Sequence, residues 1–275
     1  MPVSESHIRD LAKALAEGRL VLFVGAGLSY QSRRLDGKSD RLPLWRELAA
    51  MAAEEFDEKP EDYNFNITDM FDAIVSRRSR TELEKFIRYT LDDTPFDVHR
   101  VHSLLSELPW ARVYTTNYDS LLVRALGSNK PIVLEKDFDL LSSSGEQASQ
   151  VIHLHGNLDD PHTLTGEDYE IWEEKHPQAT AQLTSDGIQK SFLFLGYSFS
   201  DPHFKLGLLA RLKRLKHGRQ HRNYAWMWSV PERQAALLNS RDKIDVQSLT
   251  DDAEWETALL ALQSAFRDEE KGKRN

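Results

Sequence analysis

The residues best suited to chemistry stand where short apolar runs stop. Gly25-Ala26-Gly27-Leu28-Ser29 follows Leu20-Val21-Leu22-Phe23-Val24, and Asn117 and Asp119 follow Ala111-Arg112-Val113-Tyr114-Thr115-Thr116. His155 and Gly156 close Val151-Ile152-His153-Leu154, and Gly196-Tyr197-Ser198 closes Ser191-Phe192-Leu193-Phe194-Leu195. An imidazole of ordinary pKa takes up a proton at neutral pH. Glycines let the backbone turn sharply and approach a ligand with no Cβ in the way. A small hydroxyl such as Ser29 caps a helix or touches a phosphate. A buried strand, a glycine turn and a helix start form the phosphate-cradling corner of a nucleotide-binding α/β fold, although a plain tight turn gives the same pattern.

Each residue also has a bland reading. Asn117 and Asp119 can simply cap the helix that follows them. His153 and His155 lie two apart, so a strand would point both to one face, a spacing that also suits a metal pair. With cysteine absent, no further ligand set is evident for one. Gly196 and Ser198 can be a turn, and His99-x-x-His102 reads as surface or packing on one helix face.

These residues need strands and helices to position them. The run at Leu20 is continuously apolar, which predicts a strand buried on both faces. Ahead of it, Ile8, Leu11 and Leu15 recur at helical spacing and Gly18 is a stop. From Leu28 to Trp110 no strand is expected. A helix begins near Pro43, a polar loop runs from Asp57 to Asn66, and a helix holds Phe71, Ile74 and Val75. Thr81-x-x-Glu84 is a capping-box pattern opening another helix, and Val98 to Leu108 is a further one. A βα crossover needs only about a dozen residues or more. The much longer gap predicts a helical subdomain, 30–109, inserted within one α/β domain that spans 1–275.

Alternation then returns. Strands are expected at Ala111 to Asn117, Lys130 to Lys136, Val151 to Gly156, Ser191 to Ser198, Tyr224 to Val230 and Ile244 to Leu249. Helices are expected at Tyr118 to Leu126, at Gly166 to Lys190 around Pro177, from Asp201-Pro202 to about His217, and around Trp255, Leu259, Leu262 and Phe266. Strands alternating with helices mean a doubly wound, Rossmann-like parallel sheet, whose ligands sit at the carboxyl ends of its strands. That places the four motifs in one crevice.

Composition narrows the classes. The 275 residues are 40% hydrophobic and 29% charged, an ordinary globular balance. Acidic residues outnumber basic ones, 44 to 35, for a net charge of −9, which argues against a chain built to coat nucleic acid. The basic run Arg211 to Arg222 reads as a solvated helix face, with a docking surface as the alternative. There are no cysteines, so a disulfide, a cysteine nucleophile and a cysteine zinc site are excluded. Neither a signal pattern nor a membrane-length apolar stretch occurs, so a cytoplasmic protein with no membrane contact is expected.

Taken in order, Gly25-Ala26-Gly27-Leu28-Ser29, Thr116-Asn117-Tyr118-Asp119, Leu154-His155-Gly156 and Gly196-Tyr197-Ser198 resemble the sirtuin NAD-binding core, over roughly Leu20 to Pro202 plus the final strands. Tyr114 to Asp119 and Leu195 to Pro202 look like the sirtuin-like domains of bacterial antiphage defence. Classical protein deacylases carry a four-cysteine zinc module and a Gly-x-Pro-Asp-Phe-Arg stretch. Here Leu42-Pro43-Leu44-Trp45-Arg46 keeps only a proline and an arginine, and no zinc module is possible.

The resemblance therefore implies hydrolysis of NAD to nicotinamide and ADP-ribose, with NAD as substrate and no metal. It implies that His155 is the base, that Asn117 holds the nicotinamide ribose or the attacking water, and that Asp119 supports the pocket or caps the next helix. Gly25, Ala26, Gly27 and Ser29 would receive the pyrophosphate, and Gly196 and Ser198 would meet phosphate or ribose. A non-catalytic NAD or ADP-ribose module and an NAD-dependent protein deacylase are the competing readings. Domains of this type are usually gated, so a homo-oligomer, a HerA-type ATPase or an Argonaute-like protein is the expected partner, and direct nucleic-acid binding is not.

Overall fold

The computed structural model describes residues 2–127, 132–133, 151–199 and 222–274. The expected helix from Asp201, the basic run before Arg222 and most of the strand around Pro131 lie outside them.

The chain opens with helix α1 (Glu5–Ala16) and strand β1 (Leu20–Val24). Ser4 caps α1 by accepting from the His7 amide at 3.3 Å. All five residues of β1 are buried, because it lies at the centre of a seven-stranded parallel sheet. In chain order the others are β2 (Arg112–Thr115), β3 (Ile132–Val133), β4 (Val151–His153), β5 (Ser191–Leu195), β6 (Asn223–Trp228) and β7 (Ile244–Leu249). Across the sheet they run β3-β4-β2-β1-β5-β6-β7. The chain builds one half from β1 through β2 to the edge strand β3, sets β4 between those two, then crosses to β5 and fills the other half outward. The topological switch thus falls between β1 and β5, where Val24 pairs with Leu195.

Side chains alternate along β1 and feed two cores. Leu20, Leu22 and Val24 face one, packed with Leu11 and Leu15 of α1 and with Trp255, Leu259 and Leu262 of the closing helix Asp252–Arg274. Val21 and Phe23 face the other, with Tyr114, Phe192 and Phe194 from the sheet and Ala179 and Leu183 from the helix Pro177–Gln189. Helices thus cover both faces of a parallel sheet, the Rossmann-like arrangement expected.

Between β1 and β2 the regular structure of the described backbone is helical but for an isolated bridge from Arg34 to Phe96. It holds α2 (Ala26–Ser29), α3 (Trp45–Glu55), a 3-10 turn (Pro60–Tyr63), α4 (Ile67–Arg77), α5 (Arg80–Thr90) and α6 (Arg100–Leu105). Leu48, Phe71, Ile74, Leu83 and Ile87 of α3 to α5 form a third apolar cluster, closed by Tyr118 and Leu164 from the sheet side.

Several local expectations shift. Helix α5 starts ahead of Thr81, because Ser79 caps it by accepting from the Glu82 amide at 3.2 Å. The same Ser-x-x-Glu pattern occurs two residues upstream of the one expected. Helix α6 is shorter than Val98 to Leu108, with His99 Nδ1 accepting from the Val101 amide at 3.2 Å as its cap. The stretch from Gly166 holds three helices, α8 (Gly166–Glu170), α9 (Trp172–Lys175) and α10 (Pro177–Gln189), preceded in the chain by α7 (Leu121–Leu126). No described helix is long and apolar enough to cross a membrane.

Candidate active site

At the carboxyl ends of β1, β2, β4 and β5 lies a cavity of about 700 Å³. That falls within the roughly 300–1,000 Å³ usual for small-molecule and cofactor sites. Ala26, Gly27, Ser29, Asn117, Asp119, His155, Gly196 and Ser198 all line it. Gly25, the N-cap of α2, is not among the lining residues.

The glycine corner is a backbone-to-backbone junction. The amide of Gly25 donates to the Leu195 carbonyl and that of Gly27 to the Gly196 carbonyl, both at 2.9 Å. A Cβ on Gly25 or Gly27 would sit 2.8 Å from Gly196 O. Gly196 itself has φ +61°, and a Cβ there would lie 2.4 Å from the Leu28 amide nitrogen. The turns after β1 and β5 therefore interlock. The close approach that these glycines permit is to each other, and the amides of Gly25 and Gly27 are already donated.

Asn117 is fixed on three sides. Its amide donates to Thr115 Oγ1 at 3.0 Å, while that hydroxyl donates to the Val24 carbonyl at 3.1 Å. Its carbonyl lies 2.9 Å from His153 Nδ1. A carbonyl only accepts, so that ring nitrogen carries the proton. The side-chain Nδ2 donates to Ser29 Oγ at 3.0 Å. Ser29 also hydrogen-bonds Asp119, so one hydroxyl joins the carboxamide to the carboxyl. Burial pushes the Asp119 carboxyl up to about 6, against the bonds from Ser29 and the Leu121 amide that lower it. Asp119 Oδ1 accepts from that amide at 3.2 Å, so it caps α7 as well as lining the cavity.

Strand β4 ends at His153, earlier than Gly156, and this separates the two histidines. His153 stays in the sheet beneath Asn117. His155 lies beyond the strand and reaches the cavity. The shared strand face expected of the pair is not formed. Among the described residues no three His, Asp or Glu side chains gather as a metal site. The His155 ring lies 5.2 Å from Tyr169, edge-on at 81°, and 6.5 Å from Tyr118. His102 is buried in the helix-covered core, so His99-x-x-His102 is a cap and a packing residue.

The wall opposite the sheet comes from the segment between β1 and β2. Pro43, Leu44, Trp45 and Arg46 line it, and the exposed Arg46 is the one Lys or Arg among the described lining residues. Tyr30, Tyr169, Trp228 and Gln234 complete the mouth. None of these four carries a motif, and only the fold brings them here. Thr115 and His153 hold Asn117 without lining the cavity. For Thr115 the Thr-x-Asn spacing, a hydroxyl two residues before an amide it can accept from, is a local signal.

Comparison with known proteins bears on this geometry. Residues 111–246 match the model of the SIR2-like domain, a stretch that includes Asn117, His155 and Ser198. Curated relatives are each named NAD(+) hydrolase ThsA. One from Cytobacillus dafuensis is 29% identical over 230 residues, covering 79% of this chain and 43% of that protein. One from Bacillus cereus is 27% identical over 231 residues, covering 81% and 46%. One from Acinetobacter baumannii is 29% identical over 223 residues, covering 79% and 44%. The chain thus spans less than half the length of the curated relatives it matches.

Proposed function

We propose that this chain, which carries a SIR2-like domain, cleaves NAD to nicotinamide and ADP-ribose. The observation that carries the reading is convergence. Asn117 from the end of β2 and His155 from beyond β4 line one cavity with the corner after β1. The name NAD(+) hydrolase carried by the relatives supports the same choice of substrate.

Breaking the nicotinamide–ribose bond builds positive charge on the sugar, in an oxocarbenium-like transition state. Nicotinamide leaves as a neutral molecule from a cationic ring, so no strong acid is required. The site must orient the ribose and activate water. His155, walled by Tyr169 and Tyr118, is the base. Asn117 presents its carboxamide to the ribose or the water, and its three tethers remove the reorganisation that such a contact would otherwise cost. Ser29 holds the Asn117 carboxamide and is itself bonded to Asp119. Ala26, Gly27, Gly196 and Ser198 form the floor for the pyrophosphate and a ribose, with the amides of Gly25 and Gly27 shaping that floor. Among the described lining residues, Arg46 is a cation within the cavity wall for the phosphates.

We further read 30–109 as an inserted helical subdomain and the activity as a gated step of antiphage defence by NAD depletion in the cytoplasm. Gating would come from self-assembly, or from a HerA-type ATPase or an Argonaute-like protein. The test is chromatography of NAD after incubation with the purified chain, alone and with candidate partners. Nicotinamide and ADP-ribose in equal amounts are expected. NAD bound but intact under every condition would favour a binding module, and turnover only with an acetyl-lysine peptide would favour a deacylase.

A further inference from the structure

The segment 154–165, which carries His155 out of the sheet, has no regular structure, yet one helix fastens it along its length. Helix α5 presents Arg80, Glu84 and Arg88 on one face, four residues apart each time. Arg80 Nη2 donates to the carbonyls of Pro161 at 3.2 Å and His162 at 3.0 Å. Arg88 donates from Nε to the Leu158 carbonyl at 2.9 Å and from Nη2 to the Asp159 carbonyl at 3.1 Å. Glu84 lies between them, accepting from Arg80 Nε at 2.9 Å and from Arg88 Nη2 at 3.3 Å, which sets both guanidinium planes.

The far end of the segment is fastened by the same helix. Arg80 Nη1 donates to Asp168 Oδ2 at 2.5 Å. That oxygen also accepts from the Leu164 and Thr165 amides, at 2.9 and 3.0 Å, and so fixes the start of α8. The next residue is Tyr169, whose ring stands edge-on to His155. Midway, the Thr163 amide donates to the carbonyl of His155 itself at 3.2 Å. Tension on the Arg80 end therefore passes to His155 by two short routes, through Asp168–Tyr169 and through His162–Thr163.

We propose that Arg80 and Arg88 are positioning residues for His155: they hold the segment that sets its imidazole over the cavity, so that the helices between β1 and β2 fix the geometry of the base. The proposal rests on the reading of His155 as that base. Neither arginine lines the cavity. Their effect must appear in turnover more than in binding, because displacing a reacting group by about 1 Å costs on the order of 10²-fold in rate.

The experiment compares wild type with Arg80→Ala, Arg88→Ala and Arg80→Lys, and has two readouts. The first is steady-state nicotinamide release. The alanine variants should lose about 10²-fold in kcat while KM for NAD moves little. Arg80→Lys should fall between, since an ammonium keeps the charge and loses the fork. The second readout is the His155 ring resonances in histidine-labelled protein, assigned by their loss in His155→Gln. They should shift in the alanine variants while the remaining spectrum stays folded, and Arg80→Lys should restore part of the shift. This second measurement needs no turnover, so a chain that never releases nicotinamide would defeat the proposed activity and still test the positioning. A lowered melting temperature with kcat and the His155 resonances unchanged would overturn the proposal.

Discussion

Asn117 reaches the cavity with its amide, carbonyl and carboxamide all engaged, while Asp119 beside it is a buried acid held short of easy ionisation. The Asp119 shift has a calculable consequence. Its carboxyl titrates near 6 in the folded chain because burial disfavours the charge, against about 3.9 when unfolded. The folded state keeps a proton that the unfolded state releases first. The associated stability is complete below pH 4 and is lost as pH rises through 6. Asp119→Asn removes this penalty, so at pH 8 it should be more stable than wild type, by up to about 3 kcal/mol. The gain should vanish at pH 4, as urea unfolding at the two pH values would show. A gain that does not depend on pH would refute the burial account. At this scale the motif residues were legible because each follows an apolar run. Thr115 and His153 were not read as supports for Asn117, since a hydrogen bond across two strands has no signature in either one alone.

Among the elements, the turn after β1 and the turn after β5 act as one piece. Gly196→Ala must place a Cβ against the Leu28 nitrogen at a left-handed φ. Strain and overlap together predict a loss of roughly 2–5 kcal/mol. Gly127→Ala, also left-handed at φ +60° but facing open space, should lose only about 1–2 kcal/mol. Thermal unfolding of the pair measures the difference, and equal losses would show that the junction is not the constraint. The sequence announced both glycine turns and suggested a ligand as the reason for them. It could not show that the two turns close on each other, because the β1–β5 contact joins residues some 170 positions apart, as Gly25 and Gly196 are. Strands buried on both faces were easy to find as continuous apolar runs. Their ends were harder: β4 stops at His153 although Leu154 continues the apolar pattern. The start of α5 was misplaced because Ser79 and Thr81 both offer a cap, and only one can take it.

At the scale of the molecule, the cavity adjoins the switch point between β1 and β5, and the alternation of strands with helices was enough to place the four motifs at the carboxyl ends of one parallel sheet. The opposite wall was not anticipated as a wall. Trp45 and Arg46 arrive there through packing of α3 to α5, which periodicity does not orient. Helix packing elsewhere in the molecule buries neutral histidines. Burial pushes His102 down to about 3, with His99 and Arg124 adding to it, and burial with His176 and His155 does the same to His162. An unfolded histidine titrates near 6.5, so between about 6.5 and 3 the unfolded chain takes up protons that the folded one refuses. Stability should therefore fall on acidification, by up to about 1.4 kcal/mol per pH unit for each histidine. His102→Leu should flatten the profile of unfolding free energy between pH 6.5 and 4. An unchanged slope would show that His102 takes no part in acid unfolding.

The central claim is that a carboxamide and an imidazole, each carried just beyond the end of a separate strand, act on one bound dinucleotide. Its most direct test pairs NAD binding by calorimetry with nicotinamide release, in wild type, Asn117→Ala and His155→Ala. The account predicts that His155→Ala still binds NAD to within a few-fold while nicotinamide release falls on the order of 10²–10⁴-fold, and that Asn117→Ala falls comparably. Wild-type release from either folded variant would contradict it.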